Sequence, residues 1–270
     1  MKKEKMAELY LQAQKYKEMG KYPEALSNLH QIVNAEPGEV QYIYLLAASY
    51  FEIHELDSAQ QYINQALLIN ANYKEAIELQ GMVDEVEKKY KDAEACYKKC
   101  LEIEPDFLNA RADLVRLYSN RFLPDWYQEL EPPFFTDIEE LVRQANILVR
   151  TFDVDKMKKL KKKEKDLVFG TYSRTYRFLE IALVKLKKYK ECAFAINQNK
   201  QNYIAVFGKI KPMQSFNDDL NLLKLYHVLG YKEKETEMKE YIKFHNLSPK
   251  DYEEIIAEAI QEAEKGLFVI

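Results

Sequence analysis

The sequence predicts an all-α protein made of antiparallel helix pairs that stack on one another. The first reason is composition: 31% of the 270 residues are charged, 47% are hydrophobic and only seven are glycine. Such a composition suits long, solvated helices better than sheets with glycine-rich turns. The second reason is that apolar residues recur at helical spacing, and the third is a 34-residue repeat. A chain of this length can form one large array or two smaller domains without a disulfide or a metal.

A comparison of the chain with itself at a shift of 34 residues brings residues of the same kind into register. Small residues, large apolar residues and a closing proline all recur with this step. The matching sets are Ala13, Ala47 and Gly81; Ala25, Ala59 and Ala93; Leu9, Ile43 and Ile77; Tyr22, Leu56 and Tyr90; and Leu29, Ile63 and Tyr97. Pro37 and Pro105 lie two steps apart, with Ala71 between them. Matches of several kinds at one shift indicate a repeated structural unit.

Each repeat reads as a pair of antiparallel helices. In the first helix Leu9, Ala13 and Tyr16 lie on one face, and the second helix has the same i, i+4, i+7 spacing. Gly20 ends the first helix and Pro37 ends the second, because one allows a left-handed residue and the other cannot continue the hydrogen-bond ladder. One pair cannot bury its apolar stripe alone. Consecutive pairs must therefore stack into a solenoid with a concave and a convex side.

The repeats resemble the tetratricopeptide repeat family over about residues 6 to 107, in three copies. The segments KYPEALSNLHQIVNAEP, ELDSAQQYINQALLINA and KYKDAEACYKKCLEIEP have the family's second-helix pattern with its central alanine. Two departures are Asp84, where Tyr16 and Tyr50 stand in the other copies, and Ala71 in place of a proline. The resemblance implies a right-handed α-solenoid that serves as a scaffold or adaptor for another polypeptide.

The pattern of helix pairs stops near residue 119. Residues 108–118 have the spacing of a fourth first helix, but no matching second helix follows. We therefore expect a repeat array with a capping helix over residues 1–119. The next segment, NRFLPDWYQELEPPFF, has three prolines and indicates a connection over residues 120–135. A second helical domain, with degenerate tetratricopeptide-like character, is expected over residues 136–270.

The C-terminal half also reads as helical. Thr136 and Glu139 form a capping box that opens a helix. Further helices are expected at about 172–188, 190–202, 218–229, 232–245 and 249–265. The stretch YRFLEIALVKLKKYKECAFAI resembles a degenerate tetratricopeptide hairpin, in which Tyr189 and Cys192 take the positions of a tyrosine and an alanine of the first repeat. No 34-residue step continues beyond it.

No motif of the sequence has the spacing of an active site. Cys96 and Cys100 lie four residues apart on a helix, where small core thiols are the simpler interpretation. Zinc needs four ligands at short spacing, whereas the histidines are scattered singly, at His30, His54, His227 and His245. The glycines form no phosphate-binding loop, and no carboxylate pair is set apart as an acid and its base. We therefore expect no enzymatic activity, no cofactor and no structural metal.

One charged segment stands out, which we call the lysine run. Its members are Lys156, Lys158, Lys159, Lys161, Lys162, Lys163 and Lys165. The plain interpretation of the segment Lys156 to Lys165 is a surface helix or loop, because ammonium groups are too costly to bury without partners. The alternatives are contacts with an acidic partner, an anionic membrane surface, RNA or the nuclear-import machinery. A helical accessory protein that contacts nucleic acid or membrane through this run is therefore the alternative function.

Overall charge and cysteine content limit which partners and which cellular compartment are expected. The formal net charge of −4 gives no general attraction to nucleic acid or anionic membranes, and only seven of the 40 basic residues are arginine. Nucleic-acid and membrane partners are therefore disfavoured. Three cysteines without a framework indicate reduced thiols. The start MKKEKMAELY has no apolar signal region, and no stretch of about 18 apolar residues occurs, so we expect a cytoplasmic location.

The resemblance also implies where a ligand binds. In this family ligands lie along the concave face, which is formed by residues one step round each first helix from the core stripe. The matching positions are Tyr10, Gln14, Lys17, Gln41, Tyr44, Phe51, Glu75, Glu78, Met82, Glu85 and Arg116. We call these eleven residues the groove residues. Tyr44 and Phe51 have a second interpretation, namely that they pack against neighbouring helices.

The groove residues differ from those of the chaperone-binding subgroup of the family. That subgroup has lysine and asparagine in the first repeat, asparagine in the second, and lysine and arginine in the third. This chain has Tyr10, Gln14, Leu45, Glu75 and Leu79 there. We therefore expect a ligand other than a chaperone's acidic C-terminal tail. Three glutamates beside aromatic and methionine side chains indicate a segment with apolar anchors and basic residues.

Overall fold

The computed structural model describes residues 3–119, 138–208, 212–243 and 249–266. These residues form fourteen α-helices, and no strand occurs among them. The prediction of an all-α fold is therefore confirmed. The chain divides into two compact units, Met1–Leu117 and Tyr118–Ile270, which we call unit 1 and unit 2.

Unit 1 consists of three helix pairs followed by one more helix. The helices are α1 (Lys3–Glu18), α2 (Tyr22–Ala35), α3 (Val40–Glu52), α4 (Leu56–Ile69), α5 (Lys74–Val86), α6 (Tyr90–Ile103) and α7 (Leu108–Ser119). The two helices of each pair pack against each other, and α2 packs on α3 as α4 packs on α5. Contacts between neighbours in sequence, repeated along the chain, are the pattern of an α-solenoid.

The core of unit 1 lies at the positions that the 34-residue step brings into register. The second helices of the three pairs each place an alanine, Ala25, Ala59 or Ala93, at a fully buried position. The first helices place Ala13, Ala47 and Gly81 against the large residues Leu29, Ile63 and Tyr97, all of them buried. Small residues on one helix thus admit large residues from the other, and the two axes can approach closely.

The turn inside each pair uses a left-handed residue. Gly20, His54 and Lys88 are 34 residues apart and have φ angles of 70°, 62° and 60°. In each turn the amide of the next residue donates to the carbonyl five positions earlier, at 2.8, 3.0 and 2.7 Å. This is the Schellman ending of a helix, which normally takes glycine. The sequence indicated the turn at Gly20, but His54 and Lys88 adopt it without glycine.

Glycine at these strained positions is expected to stabilise the protein. His54→Gly and Lys88→Gly should each raise the free energy of unfolding by about 0.5–1 kcal/mol, because an L side chain is disfavoured at positive φ. Both side chains are exposed, so few contacts are lost. Thermal denaturation of each variant is the measurement. Lys98→Gly, in the middle of α6, is the control and should lose about 1 kcal/mol; a loss at the turns as well would contradict the prediction.

Unit 2 contains the other seven helices. They are α8 (Ile138–Arg150), α9 (Val154–Lys159), α10 (Lys162–Lys185), α11 (Tyr189–Phe207), α12 (Pro212–Val228), α13 (Lys232–Ile242) and α14 (Pro249–Glu264). α10 packs on α8 and on α11, while α12 packs on α13 and α14. The predicted connection at 120–135 and the capping residue Thr136 lie outside the described residues.

Two helix pairs of unit 2 have the same turn as those of unit 1. Lys187 between α10 and α11 has a φ of 57°, and Gly230 between α12 and α13 has a φ of 70°. The amides that follow them donate to carbonyls five positions earlier, at 2.8 and 2.9 Å. Cys192 is buried near the start of α11, as Ala25 is near the start of α2. These features agree with the resemblance of this stretch to a degenerate tetratricopeptide hairpin.

The lysine run, which was expected to be a surface helix or loop, spans the end of one helix and the start of the next. Helix α9 ends at Lys159, and Leu160 takes an extended conformation before α10 begins at Lys162. Six of the seven lysines are exposed and Lys165 is half-buried, whereas Met157 is buried beneath them. The run is therefore an exposed, kinked surface. Helix α10 also begins about ten residues earlier than the expected start near residue 172.

Candidate functional site

The groove residues lie on the first helices of the repeats, α1, α3 and α5, and on α7. Helices α3 and α5 contact each other directly, which makes this face continuous from one repeat to the next. The degree of burial varies along it. Gln14 and Gln41 are exposed, Glu78 is buried with 7% of its surface accessible, and the other eight are half-buried.

At the α1 end, the polar groove residues already have partners within unit 1. The Gln14 side-chain amide donates to the Tyr10 hydroxyl at 2.6 Å. The Tyr10 ring meets the edge of Tyr42, with 6.0 Å between the centroids. Lys17 forms an ion pair with Glu52 of α3 at 3.4 Å. These contacts hold α1 against α3. They also leave the Lys17 ammonium group already paired with a carboxylate of unit 1.

The middle of the face is apolar and partly open. Tyr44 meets the edge of Tyr73 with 5.7 Å between ring centroids, and burial together with Glu78 raises the pKa of its phenol. Phe51 and Met82 pack against the buried cluster of Ala47, Ile63, Leu79 and Val83. Tyr44 and Phe51 therefore do pack on neighbouring helices, yet both remain half-exposed and available for further contact.

Carboxyl groups dominate the α5–α7 end. Glu78 shares hydrogen bonds with Asp113 and Asn109 of α7, and burial, reinforced by the charges of Asp113 and Glu75, raises the pKa of Glu78 to about 8. The protonated Glu78 carboxyl thus donates to Asp113 while Asn109 donates to Glu78. Burial also raises the pKa of Asp113. At neutral pH, below the pKa of about 8, the Glu78 carboxyl is therefore mainly protonated.

Arg116 is bound within the array. Its guanidinium donates to both oxygens of Glu85, at 2.6 and 2.7 Å, and to Asp113 at 3.1 Å. The Tyr97 hydroxyl donates to the same Glu85 carboxylate at 2.6 Å. This bidentate pair ties α5 to α7. Arg116 and Glu85 therefore act first as a structural link in the groove.

Two residues of this cluster, Asn109 and Asp113, were not among the sequence-predicted positions. Asp113 lies 34 residues after Leu79, so it is a charged residue at a repeat position that is apolar in the earlier repeats. This departure from the repeat pattern is the sequence signal that could have identified Asp113 as a site residue. With Asp113 included, the face has five carboxyl groups, of Glu52, Glu75, Glu78, Glu85 and Asp113, beside three cations, of Lys17, Lys74 and Arg116.

The thiols and the metal-binding residue types have a structural explanation. Burial raises the pKa of both Cys96 and Cys100 to about 12, and it raises that of Cys192 as well. Such thiols stay protonated and are poor nucleophiles at neutral pH. Within the described ranges, no three His, Cys, Asp or Glu side chains are grouped closely enough to hold a metal ion. None of the helices in those ranges combines the length and apolar character needed to cross a membrane.

Comparisons with known proteins agree with the repeat. A sequence model of the tetratricopeptide repeat family matches residues 16–82. RNA polymerase II-associated protein 3 of Mus musculus is 29% identical over 103 residues, which are 38% of this chain and 16% of that protein. The match therefore spans about a sixth of the relative's length.

Solved structures show a similar fold. The Pseudomonas aeruginosa PilF structure matches with a TM-score of 0.57 at 12% identity and covers 94% of this chain and 98% of its own. The first tetratricopeptide domain of Spaghetti (RPAP3), bound to the HSP90 peptide SRMEEVD, is 26% identical over 43% of this chain and 93% of its own, with a TM-score of 0.40. The HSP90 peptide of that complex is acidic, and it is the class of ligand that the groove residues of this chain led us not to expect.

Three features of unit 1 agree: the 34-residue step, the stacked helix pairs with their buried alanines, and the family match over residues 16–82. Unit 1 therefore contains tetratricopeptide repeats, with the family match at residues 16–82.

Proposed function

We propose that this protein is a non-enzymatic adaptor that binds a segment of another polypeptide on the groove residues of unit 1. The partner segment has an apolar or aromatic anchor flanked by basic residues. One observation carries this proposal, namely that half-exposed Tyr44, Phe51 and Met82 lie between carboxyl groups that outnumber the cations beside them. An anchor supplies affinity, and complementary charge supplies orientation and specificity.

The charge pattern favours a basic segment. Lys17 is engaged by Glu52, and Arg116 by Glu85 and Asp113, so these two cations are neutralised within unit 1. Glu75 forms an ion pair with Lys74 at 3.8 Å, and Lys74 binds Glu104 more closely. A lysine or arginine of the partner would contact Glu75, whose own cation is shared with Glu104.

The test is the binding of short fluorescein-labelled peptides to the full chain, followed by fluorescence anisotropy. The basic peptide has a central phenylalanine flanked by lysines and arginines, and in the matched acidic peptide glutamates replace them. Tyr44→Ala combined with Phe51→Ala should weaken binding of the basic peptide about tenfold or more, which corresponds to about 1.4 kcal/mol. Circular dichroism of the variant is the check that the array stays folded.

Leu11→Ala combined with Leu68→Ala is the matched control, because it removes two exposed apolar side chains of unit 1 outside the groove residues. It should leave the affinity for the basic peptide unchanged. Equal affinity of the wild type and the Tyr44→Ala, Phe51→Ala variant would move the site elsewhere. Capture of partner proteins from a lysate with the same variants then shows whether the natural partner uses this face.

The alternative function, contact with nucleic acid or an anionic membrane through the lysine run, rests on the exposure of six of its seven lysines. The dependence of binding affinity on salt concentration distinguishes this alternative from the groove proposal. Counterion release makes binding to phosphates weaken steeply between low and moderate ionic strength, whereas an apolar anchor is much less sensitive. An affinity for RNA or phosphatidylserine vesicles that falls in this way, and that Lys158→Glu with Lys159→Glu removes, would support the alternative.

A further inference from the structure

Unit 2 contains a cavity that none of the functions above uses. It lies among α8, α10 and α11 and has a volume of about 740 Å³. Its deeper wall includes Tyr176, Leu179 and Leu183 of α10, all of them buried and spaced on one helical face. This volume falls in the range of cavities that hold ligands or the anchoring side chains of partners.

Side-chain amides line the cavity beside this apolar wall. The Asn202 amide donates to the Tyr176 hydroxyl at 3.2 Å, and its oxygen accepts from the Gln198 amide at 3.1 Å. Asn202 is itself buried, so these bonds fix its orientation. Gln198 and Asn146 also line the cavity. Amides offer both donors and acceptors, which suits the N–H and C=O groups of a peptide backbone.

The mouth of the cavity is positively charged. Arg150 at the end of α8 and Lys190 in the first turn of α11 both line it, and both are exposed. Neither forms an ion pair within the described ranges. Glu191 offsets one of the two charges, so the lining keeps one net positive charge although the whole chain is negative. Phe194 stands at the same mouth with 69% of its surface exposed.

The lysine run begins beside this cavity. Val154, the first residue of α9, lines the cavity, and the exposed Lys156, Lys158 and Lys159 follow on the same helix. Fixed positive charge next to a cavity raises the local concentration of anionic partners and accelerates their association. The run thus places further lysines beside the cavity that Arg150 and Lys190 line.

We propose that this cavity is a second binding site, which takes an acidic peptide segment of a partner protein. A large apolar side chain of the segment enters the cavity between Phe194 and the α10 wall. Flanking carboxylates contact Arg150 and Lys190, and the amides of Asn146 and Gln198 contact the peptide backbone. A single-stranded nucleic acid fits less well, because the wall is mainly aliphatic and only one arginine lines the cavity.

The experiment uses the full chain and the acidic and basic peptides described above. Arg150→Glu combined with Lys190→Glu should weaken the acidic peptide at least tenfold and leave the basic peptide unchanged. Phe194→Ala should weaken the acidic peptide several-fold, and its exposed position leaves the core intact. Lys5→Glu combined with Lys15→Glu, two exposed lysines of α1, makes the same change in net charge and should have no effect.

The groove variant separates this site from the proposed function. Tyr44→Ala with Phe51→Ala should leave the acidic peptide bound, so either proposal can fail without the other. Four results would overturn the cavity proposal. Three concern the affinity for the acidic peptide: no change in the Arg150→Glu, Lys190→Glu variant, an equal loss in the α1 control, or a loss in the groove variant instead. The fourth is that RNA or phosphatidylserine vesicles bind more tightly than the acidic peptide, with the same dependence on Arg150 and Lys190.

Discussion

Replacement of Glu78 by glutamine is expected to stabilise unit 1 at pH 8 by on the order of 2–4 kcal/mol and to flatten its pH dependence. Burial raises the pKa of Glu78 from 4.5 to about 8 in the folded protein. Between these two values the folded state binds a proton that the unfolded state has released. The free energy of unfolding therefore falls as pH rises through this window, by at most about 1.4 kcal/mol per pH unit.

Glutamine can keep the hydrogen bonds of the protonated carboxyl. Its amide donates to Asp113 as the Glu78 hydroxyl does, and its oxygen accepts from Asn109. The substitution therefore removes the ionisation without leaving a buried group unpaired. Below pH 4.5, where Glu78 is protonated in both states, wild type and variant should have similar stability.

Urea unfolding of the full chain from pH 5 to pH 8.5 measures this effect, with hydrogen–deuterium exchange of α5 amides as the readout specific to unit 1. Glu24→Gln, which removes an exposed carboxylate of α2, is the charge-matched control and should keep the wild-type slope. The same slope in the Glu78→Gln variant would mean that Glu78 does not hold the proton.

The sequence predicted the core of unit 1 because the repeat encodes it redundantly. A residue such as Ala25 is matched by Ala59 and Ala93, so each core position occurs three times in the sequence. The turns at His54 and Lys88 could not be identified from residue type, because neither is glycine. The 34-residue step from Gly20 leads to both positions, but no turn was predicted there. In these turns the stacking of the pairs overrides the local preference for glycine.

The candidate site could be predicted only in part. The period places Glu85 and Arg116 on the inner helices, but they are 31 residues apart and meet only once α5 and α7 pack together. Which groove residues are already engaged is therefore a tertiary property. In unit 2, the early start of α10 was missed because its first turns are charged. Lysine and glutamate are good helix formers, yet they leave no apolar stripe to detect.

The pairing of Gly81 with Tyr97 leads to the second large effect. Gly81→Ala is expected to destabilise unit 1 by about 1–3 kcal/mol, although alanine is the better helix former by about 1 kcal/mol. A Cβ at Gly81 would lie 2.7 Å from a ring carbon of Tyr97. The ring cannot move aside easily, because Tyr97 is fully buried and its hydroxyl donates to Glu85.

The other repeats show how to relieve this clash. At the same two positions they have an alanine with a smaller residue, Ala13 with Leu29 and Ala47 with Ile63. Tyr97→Leu alone should cost about 2–4 kcal/mol, because it leaves a cavity beside Gly81. Gly81→Ala combined with Tyr97→Leu restores the pairing of the first repeat. The double variant should therefore lose at least about 1 kcal/mol less than the sum of the two single losses.

A double-mutant cycle by urea unfolding measures this coupling directly. The lost hydrogen bond from Tyr97 to Glu85 is common to both variants that carry Tyr97→Leu, so it cancels in the cycle. Gly81→Ala with Tyr97→Phe is the control, because phenylalanine keeps the ring and should not relieve the clash. Additive losses in the Tyr97→Leu cycle would show that the ring of Tyr97 does not determine the need for glycine at position 81. If Gly81→Ala shows a favourable coupling with Tyr97→Leu but not with Tyr97→Phe, the size of the facing residue determines which small residue each repeat can have.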